Sequence, residues 1–127
     1  MKTLIVYDSK HGSTEKICNW IKEGIGDADI YNVNNVSSLN YDLILVGSPI
    51  YFGKPLKSVI SFLDDKRDEL KNKRIIPFVV CIRNGKKYLS KLKKFIPNAE
   101  DGKIFRGRFL FHKLNKEECI NFGRMMK

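Results

Sequence analysis

Strand-like apolar runs and helix-period stretches alternate along this chain, and few architectures accommodate that order. The run "TLIVYD" reads as a strand buried on both faces. Ile17, Trp20, Ile21 and Ile25 then recur at helical spacing, opposite Lys16, Lys22 and Glu23. Gly24 and Gly26 are expected to close that helix. "ADIYNV" predicts a second strand, and "YDLILVGS", bounded by Gly47 and Pro49, a third. Pro55 predicts the opening of a helix whose apolar stripe is Leu56, Val59, Ile60 and Leu63. "RIIPFVVCI" predicts a fourth strand, in which Pro77 implies a bulge or a sheet edge. A basic helix is expected over 86–95, with Leu89, Leu92 and Phe95 as its apolar positions. "GKIFRGRFLF" follows as a fifth strand broken at Gly107. The last helix starts at an Asn cap, with acidic residues in its first turn and basic ones at its end.

Strands separated by helices make right-handed βαβ units and a parallel sheet covered on both faces. Five strands in 127 residues predict a small α/β domain over 1–127: a doubly wound parallel sheet in three α/β/α layers. Such sheets take ligands at the carboxyl ends of their strands. The loops of interest are therefore "DSKHGST", "SPIYFGK" and "RNGKK".

Composition narrows the class further. The hydrophobic share of 43% fits a globular protein, and no apolar run approaches the roughly 20 residues of a membrane span. "MKTLIVYD" lacks the long apolar region of a secretory signal, so a cytoplasmic location is expected. Cys18, Cys81 and Cys119 are far apart and form no metal-ligand spacing, which predicts reduced thiols packed as small hydrophobes. The net charge of +10 is uneven. Residues 1–64 carry 6 Lys/Arg against 7 Asp/Glu, whereas 65–127 carry 18 against 7, including every arginine. That asymmetry predicts an anionic partner or surface.

The first loop enters a helix N-terminus, where free N–H groups and the positive dipole end favour an anion. Ser9, Ser13 and Thr14 add hydroxyls, Gly12 lets the backbone curl closely, and no carboxylate lies between Asp8 and Glu15. A monophosphate suits this loop; the alternative is that Ser13 or Thr14 merely caps the helix. The second loop places Tyr51 and Phe52 at a strand end, where a flat aromatic ligand would cover a ring; otherwise both rings tuck into the core. Gly53 permits unusual backbone angles beside them.

These residues resemble the flavodoxin-like FMN-binding family. Ile5, Val6, Tyr7, Asp8, Ser9, Lys10, His11, Gly12, Ser13 and Thr14 follow the register of its phosphate loop. His11 stands where many members have a second Thr, and Cys18 where a smaller residue is usual. The similarity extends through "GSPIYFGKP" and "FRGRFLFHKL" to a branch of short flavodoxin-domain proteins that includes the menaquinone-linked protoporphyrinogen oxidases. The resemblance implies strand order 2-1-3-4-5. It also implies FMN with its phosphate on Ser9, Lys10, His11, Gly12, Ser13 and Thr14. The isoalloxazine would lie between Ser48, Pro49, Ile50, Tyr51, Phe52 and Gly53 on one side and Ile82, Arg83, Asn84 and Gly85 on the other. Tyr51 or Phe52 would stack on the ring, backbone near Gly53 and Asn84 would address its polar edge, and Asp8, Lys54 and Arg83 are candidates for tuning.

On this reading the flavin carries the chemistry and no side chain acts as a general base. The expected function is electron transfer between a reductant and a small-molecule or protein acceptor. The alternative is a quinone-linked oxidoreductase of the protoporphyrinogen oxidase type. Expected partners are a redox protein or a quinone, with peripheral contact to an anionic membrane through the basic half. A response-regulator receiver would need paired acids after strand one and an Asp after strand three, and neither is present. A low-molecular-weight tyrosine phosphatase would need Cys-x5-Arg, also missing. No DNA- or RNA-binding motif accompanies the basic helix, so specific nucleic-acid binding is not expected.

Overall fold

The computed structural model describes residues 2–109 and 112–127. The elements are β1 (Thr3–Tyr7), α1 (Ser13–Ile25), β2 (Ala28–Asn32), β3 (Leu43–Tyr51), β4 (Lys54–Pro55), α2 (Lys57–Asp65), α3 (Arg67–Leu70), β5 (Arg74–Cys81), α4 (Gly85–Lys93), β6 (Lys103–Arg106) and α5 (Lys116–Met125). The sheet runs β2-β1-β3-β5-β6, all parallel, with the two-residue β4 turned back antiparallel on β3. Setting β4 aside, this is the expected order 2-1-3-4-5.

Burial explains why the strands read as unbroken apolar runs. Leu4, Val6, Ile44, Val46, Ile75 and Val79 face one core layer, under Val59, Phe62 and Leu63 of α2, Leu70 of α3 and Leu92 of α4. Ile5, Tyr7, Leu43, Leu45, Phe78 and Val80 face the other, under Ile17, Cys18, Ile21 and Ile25 of α1 and Cys119 and Phe122 of α5. Alternate residues of each strand serve opposite layers, so both must be apolar. All three cysteines are buried free thiols. No helix among the described residues is long and apolar enough to cross a membrane.

Several local expectations are corrected. Pro55 lies in β4 rather than opening α2, and Phe62 joins the buried face of α2 while Ile60 is only half-buried. The strand β3 continues through Gly47 and Pro49 to Tyr51, because β4 pairs with its end. Pro77 occupies an interior strand. It is tolerated because the β6 side of β5 lapses there, between the Ile75–Ala99 bridge and the Phe78–Lys103 pair. The strand β6 stops at Arg106; beyond Gly107 the described residues show a Phe109–His112 bridge, and the expected strand residues Leu110 and Phe111 lie outside the described residues. Gly26, at φ 92°, ends α1 as expected, whereas Gly24 lies inside the helix against α5. The basic helix ends at Lys93, earlier than 95.

Candidate functional site

β1 delivers the chain to the carboxyl edge of the sheet, and Asp8 pins it there. Asp8 accepts hydrogen bonds from the Ser9 amide (2.7 Å), the Asn32 side chain (2.9 Å) and the Ser58 hydroxyl, so β1, β2 and α2 meet at one carboxylate. Burial pushes its pKa up, but the bonds from Ser58, Asn32 and the Ser9 amide outweigh this and leave it below the usual aspartate value. Asp8 is thus an anchor of the loop rather than a free loop charge.

Past Asp8 the backbone curls. The Gly12 amide donates to Ser9 Oγ at 2.9 Å, and Gly12 sits at φ 87°, a left-handed conformation that glycine adopts without a Cβ clash. Gly12 is the N-cap of α1, and no side chain caps that end. The helix's first internal bond is from the Lys16 amide to the Gly12 carbonyl, at 3.1 Å. The amides of the first turn therefore face outward without intrahelical partners. Neither Ser13 nor Thr14 serves as the cap. Instead Thr14 is buried, and its Oγ1 finds no hydrogen-bond partner among the described residues. A buried hydroxyl without a partner costs free energy unless a ligand supplies one. The residues present therefore suit a phosphomonoester.

A cleft of about 250 Å³ opens beside this helix start. It brings together Ser9, His11, Ser13 and Thr14 from the first loop, Pro49, Ile50 and Tyr51 from the end of β3, and Ile82 after β5. It also includes Val80, Cys81, Gly107 and Arg108, which lie outside the three loops expected to form the site. The available signal was the break at Gly107, whose amide donates to the Cys81 carbonyl at 3.1 Å and folds Arg108 over the cleft.

Lys10 and several other expected residues lie around the cleft without lining it, and His11, which does line it, also meets a neighbouring ring. Lys10 places its ammonium 5.2 Å from the Tyr51 ring centroid, and the His11 ring meets Tyr51 edge-on at 5.7 Å. Ser48 is fully buried: its hydroxyl donates to the Pro49 carbonyl and accepts from the Leu56 amide, which secures the second loop. Phe52 is 98% exposed at φ 51°, followed by Gly53 at φ 74°, so its ring is not core. Arg83 and Asn84 are exposed after β5, and Asn84 is left-handed at φ 58°. Gly85 opens α4, where a Cβ would overlap Ile104. Lys54 is exposed in β4.

Left-handed residues thus occur in all three loops at the carboxyl edge of the sheet, at Gly12, at Phe52–Gly53 and at Asn84. The glycines adopt this conformation freely, whereas Phe52 and Asn84 are non-glycine residues at positive φ, and such outliers are commonest at ligand sites. These features define a doubly wound α/β protein with an anion-receptive helix start facing an aromatic turn. The flavodoxin domain model matches residues 4–127, and the chain belongs to that family. Among solved structures it resembles a flavoprotein from Lactobacillus acidophilus in complex with FMN, at 24% identity and TM-score 0.69, covering 83% of this chain and 92% of that one. It also resembles the two-electron reduced flavodoxin of Megasphaera elsdenii, at 20% identity and TM-score 0.75, covering 96% of each. At those identities the likeness is one of fold. An uncharacterized protein of Methanocaldococcus jannaschii is 53% identical over 68 residues, 50% of this chain and 45% of that protein. The matched stretch spans less than half the length of that curated relative.

Proposed function

We propose that this chain binds FMN and acts as an electron-transferring flavoprotein. The observation that carries the proposal is Thr14 Oγ1, buried and unpartnered at an uncapped helix N-terminus. Its missing partner, the outward first-turn amides and the left-handed Gly12 together suit a dianionic phosphate. The bound FMN would supply one- or two-electron chemistry that no side chain here provides. The polypeptide's part is to bind and orient. Ser13, Thr14 and the α1 amides would hold the phosphate. Pro49, Ile50 and Tyr51 on one wall and Val80, Cys81 and Ile82 on the other would border the ring system and keep water from it. Arg108 adds a positive charge at the rim.

Exposed cations after β5 and at the end of β6, among them Arg83, Lys86, Lys87 and Arg106, favour an anionic counterpart. An acidic redox protein, or a quinone held at an anionic lipid surface, is the proposed acceptor or donor.

Ligand titration tests the assignment. One FMN per chain is expected, with riboflavin at least about 100-fold weaker because it lacks the charge-assisted hydrogen bonds of the phosphate. Thr14→Glu, which puts a carboxylate in the cradle, is expected to weaken FMN by a similar factor while leaving riboflavin little changed. Equal affinity for the two flavins, or indifference of FMN to the substitution, would overturn the assignment.

A further inference from the structure

The aromatic turn beside the cleft is held by a different element. Tyr51 pairs with Lys54 across a two-residue connection in which Phe52 has φ 51° and Gly53 φ 74°. Two left-handed central residues make a type I′ turn, whose first position ordinarily takes Asn, Asp or Gly. Phe52 is strained there and gains no burial in return, since it is 98% exposed. Such a conformation persists only where the surroundings impose it.

The restraint comes from α4. Lys91 Nζ donates to the Gly53 carbonyl at 3.0 Å and lies 5.5 Å from the Tyr88 ring centroid. Tyr88 also packs on Gly53, its hydroxyl 3.8 Å from where a Cβ would stand. Lys91 is half-buried, whereas Lys86, Lys87 and Lys94 on and beside the same helix are exposed. Its ammonium is therefore part of the loop's support rather than of a solvated basic face.

We propose that Lys91 is a positioning residue for the ligand-facing turn. Its hydrogen bond keeps the Phe52–Gly53 peptide left-handed, aims the Gly53 carbonyl at α4, and presets the Tyr51–Phe52 ring pair for the ligand. The link to ligand rests on the FMN reading above; the restraint itself exists without ligand. Removing the ammonium releases the carbonyl and lets the turn relax toward conformations that a Phe prefers, so the ligand must then reorder it on binding.

The experiment compares wild type, Lys91→Met, Lys91→Arg and Lys87→Met, the last removing the same charge from an exposed site on α4. Chymotryptic cleavage after Phe52 is timed by mass spectrometry on ligand-free protein, and FMN dissociation constants are measured in parallel. Lys91→Met is expected to be cut about three- to tenfold faster and to bind FMN weaker by a like factor, as suits loss of one partly exposed charge-assisted bond. Lys91→Arg is expected to restore most of both, and Lys87→Met to match wild type. Cleavage and affinity unchanged in Lys91→Met, or equally changed in Lys87→Met, would overturn the proposal. Thermal melts separate local loosening from global unfolding, and Lys91→Gln replaces the Met variant if that does not fold. Should wild type bind no FMN, the ligand reading fails, while the cleavage series still decides the restraint.

Discussion

Asp8 shows how one side chain can organise a candidate site without lining its cleft. Three donors from three elements converge on it, and its pKa is lowered because the native state holds the carboxylate. A depressed folded-state pKa means that this contribution is fully present above the ordinary aspartate value near 3.8. It is lost as pH falls through the lower folded value. The expected outcome is a first loop that loosens below pH 3.8, seen as a fall in FMN affinity steeper in wild type than in Asp8→Asn. The Asn variant is also expected to bind FMN more weakly at neutral pH, because an amide nitrogen cannot accept what the second carboxylate oxygen does. Identical acid profiles in the two proteins would show that Asp8 is not the group responsible.

Among elements, the crossing of α1 and α5 is the least forgiving contact. A Cβ on Gly24 would stand 2.0 Å from the Ile120 carbonyl oxygen, and one on Gly123 would stand 2.1 Å from the Ile21 carbonyl oxygen. Both obstacles are backbone, so the helices themselves would have to part. Gly24→Ala is expected to destabilise by about 3 kcal/mol, at the upper end for overpacking, lowering Tm by roughly 10 °C. Gly26→Ala meets nothing within 4 Å but must adopt φ 92° and ψ −74°, the strained γ-turn region, and is expected to cost about 2 kcal/mol, still less than Gly24→Ala. Denaturant melts of the two variants check the ranking. Reversal would mean that the α1–α5 packing yields more easily than its geometry implies. Because α1 also opens with the proposed phosphate cradle, Gly24→Ala is expected to weaken FMN binding as well.

At the scale of the molecule, the positive charge of 65–127 divides into engaged and free parts. Lys91 holds Gly53, Lys93 pairs with Asp101 at 3.8 Å, and Lys103 pairs with Glu118 at 2.9 Å. Lys86, Lys87 and Lys94 are exposed, and no ion pair to them occurs among the described residues. Basic residues near an anionic membrane contribute about 1 kcal/mol each. Replacing these three lysines by Gln is therefore expected to weaken co-sedimentation with anionic liposomes by roughly 100-fold. Wild-type binding should fall as salt rises, and neutral liposomes should bind neither protein. Absence of wild-type binding to anionic vesicles, with electron transfer to acidic partners insensitive to salt, would reduce this charge to a matter of solubility.

The alternation of strand and helix periods by itself determined the doubly wound sheet, because a both-faces-buried strand must be apolar at every position and a covering helix at every third or fourth. The proposed phosphate cradle could be read from the sequence for a similar reason: Ser9, Gly12, Ser13 and Thr14 lie within six residues, so their chemistry is local. Tertiary structure alone decided the rest. Arg108 reaches the cleft through a fold at Gly107, Gly24 meets Gly123 from the far end of the chain, and Lys91 leaves a largely exposed row of lysines for a carbonyl on another loop. Pro77 sits inside the sheet because its neighbour happens to be missing at that step. Periodicity reports which face of an element is covered, whereas these contacts depend on what covers it, and that is set by the crossovers and the packing distance between elements.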